Sequence, residues 1–255
     1  MRNLILFGLL ILFLVAAQYS SAQTVDEIIN KYVDSIGGKD KLTSIKSIHM
    51  EGSRQMMGNE VAVTVTKEQG KLSRTEFEMG ASNGFILITN KDAWSYIPMR
   101  SPTPTKFPDD VVAGMQTDLD IAGPLVDYVA KGHKAELLGK DTLNGNPNYK
   151  IKLTTATGKE IIYWIDAKTY LLTQSSQKGN GMFGKKSTDA HNNNVGTGSN
   201  EMVTTYKDYS LVDGVLIAHT IEIKSADGNG RGTGGTTFDK IVLNGPVDPK
   251  LYKPE

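Results

Sequence analysis

Apolar residues recur at spacings of three and four from Val25 to Ile36. Val25, Ile28, Ile29, Tyr32, Val33 and Ile36 form one stripe of an amphipathic helix. Thr24-Val25-Asp26-Glu27 reads as its capping box: Thr24 accepts from the Glu27 backbone, and Glu27 reaches back to Thr24. Gly37-Gly38 ends the helix, because glycine tolerates the left-handed cap. A second short turn spans Lys39 to Ser44. After that the period becomes two. Val61, Val63 and Val65 alternate with Ala62, Thr64 and Thr66, and Tyr149, Ile151 and Leu153 with Lys150, Lys152 and Thr154. Val215, Ile217, His219, Ile221 and Ile223 alternate with a face ending in Thr220, Glu222 and Lys224. Such alternation predicts an antiparallel sheet wetted on one side. Turn signals such as Gln69-Gly70, Asn144-Gly145 and Asp213-Gly214 separate the runs. About twelve strands are expected, starting near residues 45, 59, 71, 84, 92, 134, 148, 159, 170, 201, 214 and 236.

Between Phe107 and Lys131 the pattern turns helical again. Pro108 and Pro124 suit first-turn positions. Val111, Val112 and Met115 form one apolar group, and Leu125, Tyr128 and Val129 a second, before Gly132 closes the segment. Two or three short helices are therefore expected within one long sheet. Lys178 to Asn200 and Ser225 to Thr236 are rich in glycine and asparagine and read as loops. No repeat or linker divides the chain.

The first 22 residues have a different character. Arg2 is followed by an apolar run from Leu4 to Ala17, and Ser20 and Ala22 sit at −3 and −1 from a cut after Ala22. This is the pattern of a secretory signal peptide, and the run is short for a membrane span. The expectation is an exported, periplasmic protein with one domain over residues 23–255. The 28 basic and 28 acidic side chains cancel, which argues against a nucleic-acid binder. The absence of cysteine excludes disulfides, thiolate metal sites, thiol nucleophiles and a lipid-modified N-terminal cysteine.

Catalytic motifs are weak. Gly80-Ala81-Ser82-Asn83-Gly84 matches the pattern of a serine nucleophile elbow, but Phe85-Ile86-Leu87-Ile88 after it reads as a strand where the elbow needs a helix. Asp227-Gly228-Asn229 begins like a calcium loop, yet Arg231 and Phe238 stand where carboxylates are needed. His49, His133, His191 and His219 lack metal-ligand spacing, and His219 reads as a core histidine or a polar contact lining a cavity. Asp109, Asp110, Asp118 and Asp120 suit helix N-termini better than an acid/base pair. No catalytic residue, cofactor or metal is assigned.

Two strands are apolar on both faces: Phe85 to Ile88, and Ile161-Ile162-Tyr163-Trp164-Ile165. Either both faces are covered by a packed core, or the sheet curves around an apolar pocket suited to acyl chains. On the second alternative Phe85, Trp94, Leu153, Trp164, Ile217 and His219 are the candidate cavity residues.

Three stretches carry a family resemblance: Thr24 to Gly38; Asn148 to Leu153 with Tyr163-Trp164-Ile165-Asp166 and Thr169-Tyr170-Leu171-Leu172; and Tyr206 to Val215 with Asn244 to Asp248 and Leu251 to Pro254. Together they resemble the outer-membrane lipoprotein-sorting family, the LolA-, LolB- and LppX-like periplasmic carriers. The resemblance implies an α+β fold: one large curved antiparallel sheet, a half-open β-barrel of about eleven strands, under a helical lid. It implies a non-enzymatic carrier shielding a lipid or lipoprotein acyl group, with the helices at 25–36 and 108–131 as the candidate lid. Implied partners are acyl chains and envelope membrane proteins that load or accept cargo, with the carrier a monomer. The alternative is an envelope scaffold that binds a protein partner on the same sheet over a dry core.

Overall fold

The computed structural model describes residues 23–56, 59–79, 82–98, 100–178, 201–226 and 234–255. The expected signal peptide, most of the 178–200 segment and residues 227–233 lie outside the described residues. The chain opens with α1 (Val25–Ser35) and α2 (Lys39–Ser44). The strands of the first half are β1 (Ser47–Met56), β2 (Asn59–Glu68), β3 (Leu72–Met79), β4 (Ser82–Thr89), β5 (Ala93–Tyr96) and β6 (Thr105–Lys106). A helix, α3 (Asp109–Met115), and a 3-10 turn at Gln116–Leu119 lead across to the second half. There follow β7 (Lys134–Leu143), β8 (Asn146–Thr154), β9 (Glu160–Asp166), β10 (Leu172–Lys178), β11 (Glu201–Val212), β12 (Val215–Ser225) and β13 (Gly234–Leu243).

All thirteen strands form one antiparallel sheet in the order β6-β5-β4-β3-β2-β1-β13-β12-β11-β10-β9-β8-β7. It is two meanders joined through β13, which inserts between β1 and β12. The outermost strands, β6 and β7, are not paired with each other, so the barrel stays open. Each of the twelve expected strands has a counterpart, and the added one is the two-residue β6. Too short to show alternation, β6 carries no periodic signal.

The capping box forms as the sequence predicts. Glu27 N donates to Thr24 Oγ1 at 3.2 Å, and Thr24 N to Glu27 Oε2 at 3.0 Å. Ile28, Ile29 and Val33 of α1 are buried against the sheet. At the far end, Leu216 N donates to Ile36 O at 3.0 Å, so α1 finishes against the start of β12. Gly37 makes this junction close: its φ is 128°, and a Cβ there would lie 2.9 Å from Gly214 O.

The segment between β6 and β7 crosses from one open edge to the other. Its first half is helical as expected. Its second half is not: residues 120–132 are a run of turns, with Gly123 at φ 84° and Asp127 at φ 53°. Leu125 and Val126 are adjacent and both buried, whereas Val129 is exposed, which is no helical stripe. Lys39 holds Asp127 at 2.9 Å in its left-handed conformation. Among the described residues no helix is long and apolar enough to cross a membrane.

The main core lies on the inner face of the sheet. α1, α2 and the crossover pack there against Met50, Val63, Val65, Tyr149, Ile151, Leu153, Ile161, Tyr163 and Ile165. A second cluster seats Val112, Met115 and Leu119 of the crossover against Ile88 and Ala93. The outer face carries a third cluster, where Val247, Leu251 and Tyr252 of the C-terminal segment pack on Leu72, Phe85, Leu87, Trp94 and Tyr96. The doubly apolar β4 is thereby explained: Ile86 and Ile88 face the crossover, and Phe85 and Leu87 face the tail.

Candidate functional site

Period two sends Tyr163 of β9 and Tyr206 of β11 to the inner face, and the helical period sends Tyr32 of α1 down to meet them. Tyr206 and Ser175 of β10 share a hydrogen bond of 3.1 Å, and Tyr209 donates to Leu172 O at 2.8 Å. Burial pushes all four hydroxyls above the ordinary tyrosine value. Each also feels its neighbours. Tyr206 raises Tyr32, Tyr163 and Tyr209, and Tyr32 raises Tyr163 and Tyr209. The carboxylates of Asp118 and Asp120 raise Tyr163 further. The tyrosines thus stay neutral across the physiological range and form one cluster of hydroxyls deep under α1. Tyr32, Tyr206 and Tyr209 nevertheless keep some accessible surface.

From this cluster the inner face runs on toward the ends of β11 and β12 that lie away from α1. Met202 and Thr204 continue the Tyr206 side of β11, and Ile221 and Ile223 face them on β12. Val61 and Phe77 sit on the same face across the sheet. All six are only half-buried by the described residues. The inner face therefore changes along its length, from sealed core under α1 to an accessible, largely apolar floor beyond it, in which Arg54 stands opposite Val61.

The crossover is fastened over this face by polar contacts. Lys67 Nζ donates to Asp118 O at 3.1 Å, and Ile121 N to Gln69 Oε1 at 2.7 Å. Lys131 pairs with Asp120 at 2.6 Å. Lys159, whose pKa burial lowers, donates to Gly114 O at 3.2 Å and Thr117 Oγ1 at 3.3 Å.

The six residues singled out from the sequence do not meet in one place. Leu153 is fully buried in the main core, and Ile217 packs against it. Phe85 and Trp94 lie on the outer face under the C-terminal segment. Trp164 is on the outer face too, with Lys150 5.0 Å over its ring and its Nε1 donating to Asp141 at 3.0 Å. His219 bridges three strands: Nε2 lies 2.7 Å from Ser210 Oγ and Nδ1 2.8 Å from Phe238 O. The β12–β13 backbone ladder covers only Thr220 to Ile223, so this ring takes over where the ladder stops. The four tyrosines were not singled out from sequence. Their signal was present: tyrosine at apolar-face positions of a helix and two strands.

A cleft of about 190 Å³ is lined mainly by polar residues, among them Asn146, Asn148, Asp166, Thr173 and Lys207, together with Leu143 and Tyr206. Among the described residues no group of three His, Asp or Glu is placed to hold a metal ion. Ser82 begins β4, so a strand and not a helix follows it, as its surroundings in the sequence predict.

No family model and no curated protein matches the chain. Solved structures do. A LolA superfamily protein from Nitrosomonas europaea is similar with a TM-score of 0.55 at 13% identity, over 91% of this chain and 99% of that one. A DUF1329 family protein from Desulfovibrio piger gives 0.55 at 13%, over 91% and 98%. A putative outer membrane lipoprotein-sorting protein domain from Vibrio parahaemolyticus gives 0.52 at 12%, over 89% and 94%. The chain has the LolA-like fold that its sequence resembles.

Proposed function

We propose that the protein is a non-enzymatic carrier of the cell envelope, holding a lipid or lipoprotein acyl group between the inner face of its sheet and the helical cover. One observation carries this reading: past the sealed core the inner face stays accessible and presents the apolar side chains of Val61, Phe77, Met202, Ile221 and Ile223 around the partly buried Arg54. Burying an acyl chain is worth about 0.8 kcal/mol per CH₂. A strip of this kind is therefore a strong site for a chain and a liability in water. The LolA-like fold supports the reading, as does the pattern of residues 1–22, which directs export to the periplasm with cleavage after Ala22. Cargo is loaded and accepted by membrane proteins of the envelope. The proposed lining is Tyr32, Tyr163, Tyr206, Met202, Ile221 and Ile223.

The test is to express the full chain in an exporting host, purify it without detergent and analyse an organic extract by mass spectrometry. A stoichiometric lipid is expected. A clean extract, together with no binding of added fatty acid ester or lipopeptide, would overturn the carrier reading in favour of a scaffold with a dry core.

A further inference from the structure

Gln23 is the residue that a cut after Ala22 leaves first in the chain. Both polar atoms of its side-chain amide are held. The Tyr149 hydroxyl donates to Gln23 Oε1, and Gln23 Nε2 donates to the Tyr170 hydroxyl at 3.1 Å. The two rings stack with centroids 6.0 Å apart. Tyr149 is 6% exposed on β8, and Tyr170 stands in the β9–β10 turn at a left-handed φ of 57°. That turn is firmly set. Tyr170 N donates to Asp166 O at 2.9 Å, Asp166 Oδ1 accepts from the backbone of Lys168 and Thr169, and Ser35 Oγ of α1 donates to Tyr170 O at 3.2 Å. Lys31 of α1 donates to the Tyr170 hydroxyl at 3.3 Å. Water would satisfy the amide of a glutamine at a chain end, so two preset tyrosines on it call for another reason.

We propose that Gln23 is a modification site: once the cut after Ala22 frees its α-amine, that amine closes on the residue's own side-chain amide to give a pyroglutamyl lactam, with Tyr149 and Tyr170 as the catalytic pair. This rests on the export reading above, with its cleavage after Ala22. The α-nitrogen forms a bond to Cδ, the Cδ–Nε2 bond breaks, and Nε2 leaves as ammonia with the proton that the α-nitrogen gives up. No water, oxidant or cofactor enters. Nucleophile and amide belong to one residue, so rotation of the side chain is enough to bring them together. Negative charge develops on Oε1 as the new bond forms, and the Tyr149 hydroxyl already points at that oxygen. Burial raises the Tyr149 pKa, so the hydroxyl keeps its proton and stays a donor. The leaving nitrogen needs a proton, and the Tyr170 hydroxyl lies against it. Hydrogen bonds from Gln23 and Lys31 hold the Tyr170 pKa below the ordinary tyrosine value, which makes it the better acid, and Lys31 is in place to return the proton it gives. Before the cut, the nitrogen of Gln23 belongs to a peptide bond and does not attack, so processing starts the reaction. Afterwards the lactam oxygen keeps Tyr149 and Lys31 keeps Tyr170. The start of α1 then stays fastened to β8 and the β9–β10 turn without a charged end.

The experiment is intact-mass spectrometry of the full chain, exported by its own leader, purified from the host periplasm and sampled over time. The wild type is expected to have the mass of residues 23–255 less one ammonia from the first sample on. In Tyr149→Phe and in Tyr170→Phe closure should be about a hundredfold slower, so that early samples keep the intact glutamine. Thermal unfolding checks the fold of each variant. Tyr170→Phe, whose ring is only half-buried, is the one to read if Tyr149→Phe unfolds. A wild type that keeps its glutamine would overturn the proposal. So would variants that close as fast as the wild type, which would show that the tyrosines take no part. A mass that starts at any residue other than 23 would sink the cut after Ala22 and this inference with it, while the acyl-carrier reading, which stands on the inner face, would be untouched.

Discussion

Arg74 shows how much one side chain settles. It is 5% exposed and on the outer face of β3. Its guanidinium donates to Glu76 at 3.0 Å and to the carbonyls of Leu251, Lys253 and Glu255 at 3.3, 2.8 and 3.4 Å, and it lies 4.2 Å over the Phe85 ring. Arg74→Met would leave a carboxylate and three carbonyls without their donor, at about 3 kcal/mol. Urea unfolding should show that loss, and limited proteolysis should cut within residues 247–255 of the variant first. An unchanged urea midpoint would mean that the tail holds without it. The inner tyrosines make a prediction of opposite character. Their folded pKa values are raised by burial, so their contribution to stability is complete below the ordinary tyrosine value of about 10 and is lost as pH rises above it. Of the nine tyrosines in residues 23–255, Tyr32, Tyr163, Tyr206 and Tyr209 should stay silent at 295 nm until the protein unfolds, then ionise together. Tyr170, lowered by hydrogen bonds from Gln23 and Lys31, should titrate early. A smooth titration of all nine near the ordinary value would contradict the cluster.

At the scale of elements, local signals were readable and non-local ones were not. The α1 stripe and its cap depend on residues within four positions of one another, and both form as the sequence predicts. Ile29→Ala should cost about 3 kcal/mol through cavity formation, and Thr24→Ala about 1 kcal/mol through the lost cap. Urea midpoints measure both, and equal losses would show that capping and packing are not separable here. The second expected helix is replaced by turns in which Gly123 and Asp127 take left-handed φ, and Asp127 there pairs with Lys39, far along the chain. The glycine of the apparent nucleophile motif also has a non-local reason. A Cβ on Gly84 would stand 2.2 Å from the Phe77 ring across the β3–β4 pair, so glycine makes room for an aromatic on the neighbouring strand. The open edges are guarded in the usual ways: β6 has two residues, and β7 carries exposed Lys134, Glu136 and Lys140 and a bulge at Gly139.

At the scale of the molecule, strand order was beyond the sequence. β13 pairs with β1 across some 190 residues, His49 to Val242 for example, and no periodicity reports such a partner. Face assignment failed for the same reason: Leu153 and Trp164 are both apolar strand residues, yet their register puts them on opposite faces. The crossover ties these scales together, because it joins the two free edges and also roofs the inner face. Its fastening is partly polar, and the polar contacts can be removed singly while Met115, Leu119, Leu125 and Val126 keep their places in the core. Lys131 is the contact to test: it holds Asp120 at 2.6 Å and the Gly123 carbonyl at 2.9 Å, with both charged side chains mostly buried. Lys131→Met should raise hydrogen exchange about tenfold at Leu119, Ile121 and Gly123, a local cost of about 1.4 kcal/mol, and leave β8 and β9 protected. Bound lipid should leave faster by a similar factor. Acceleration spread evenly over the sheet would instead mean that the pair stabilises the whole fold, and the cover would then have to open somewhere other than its 119–131 end.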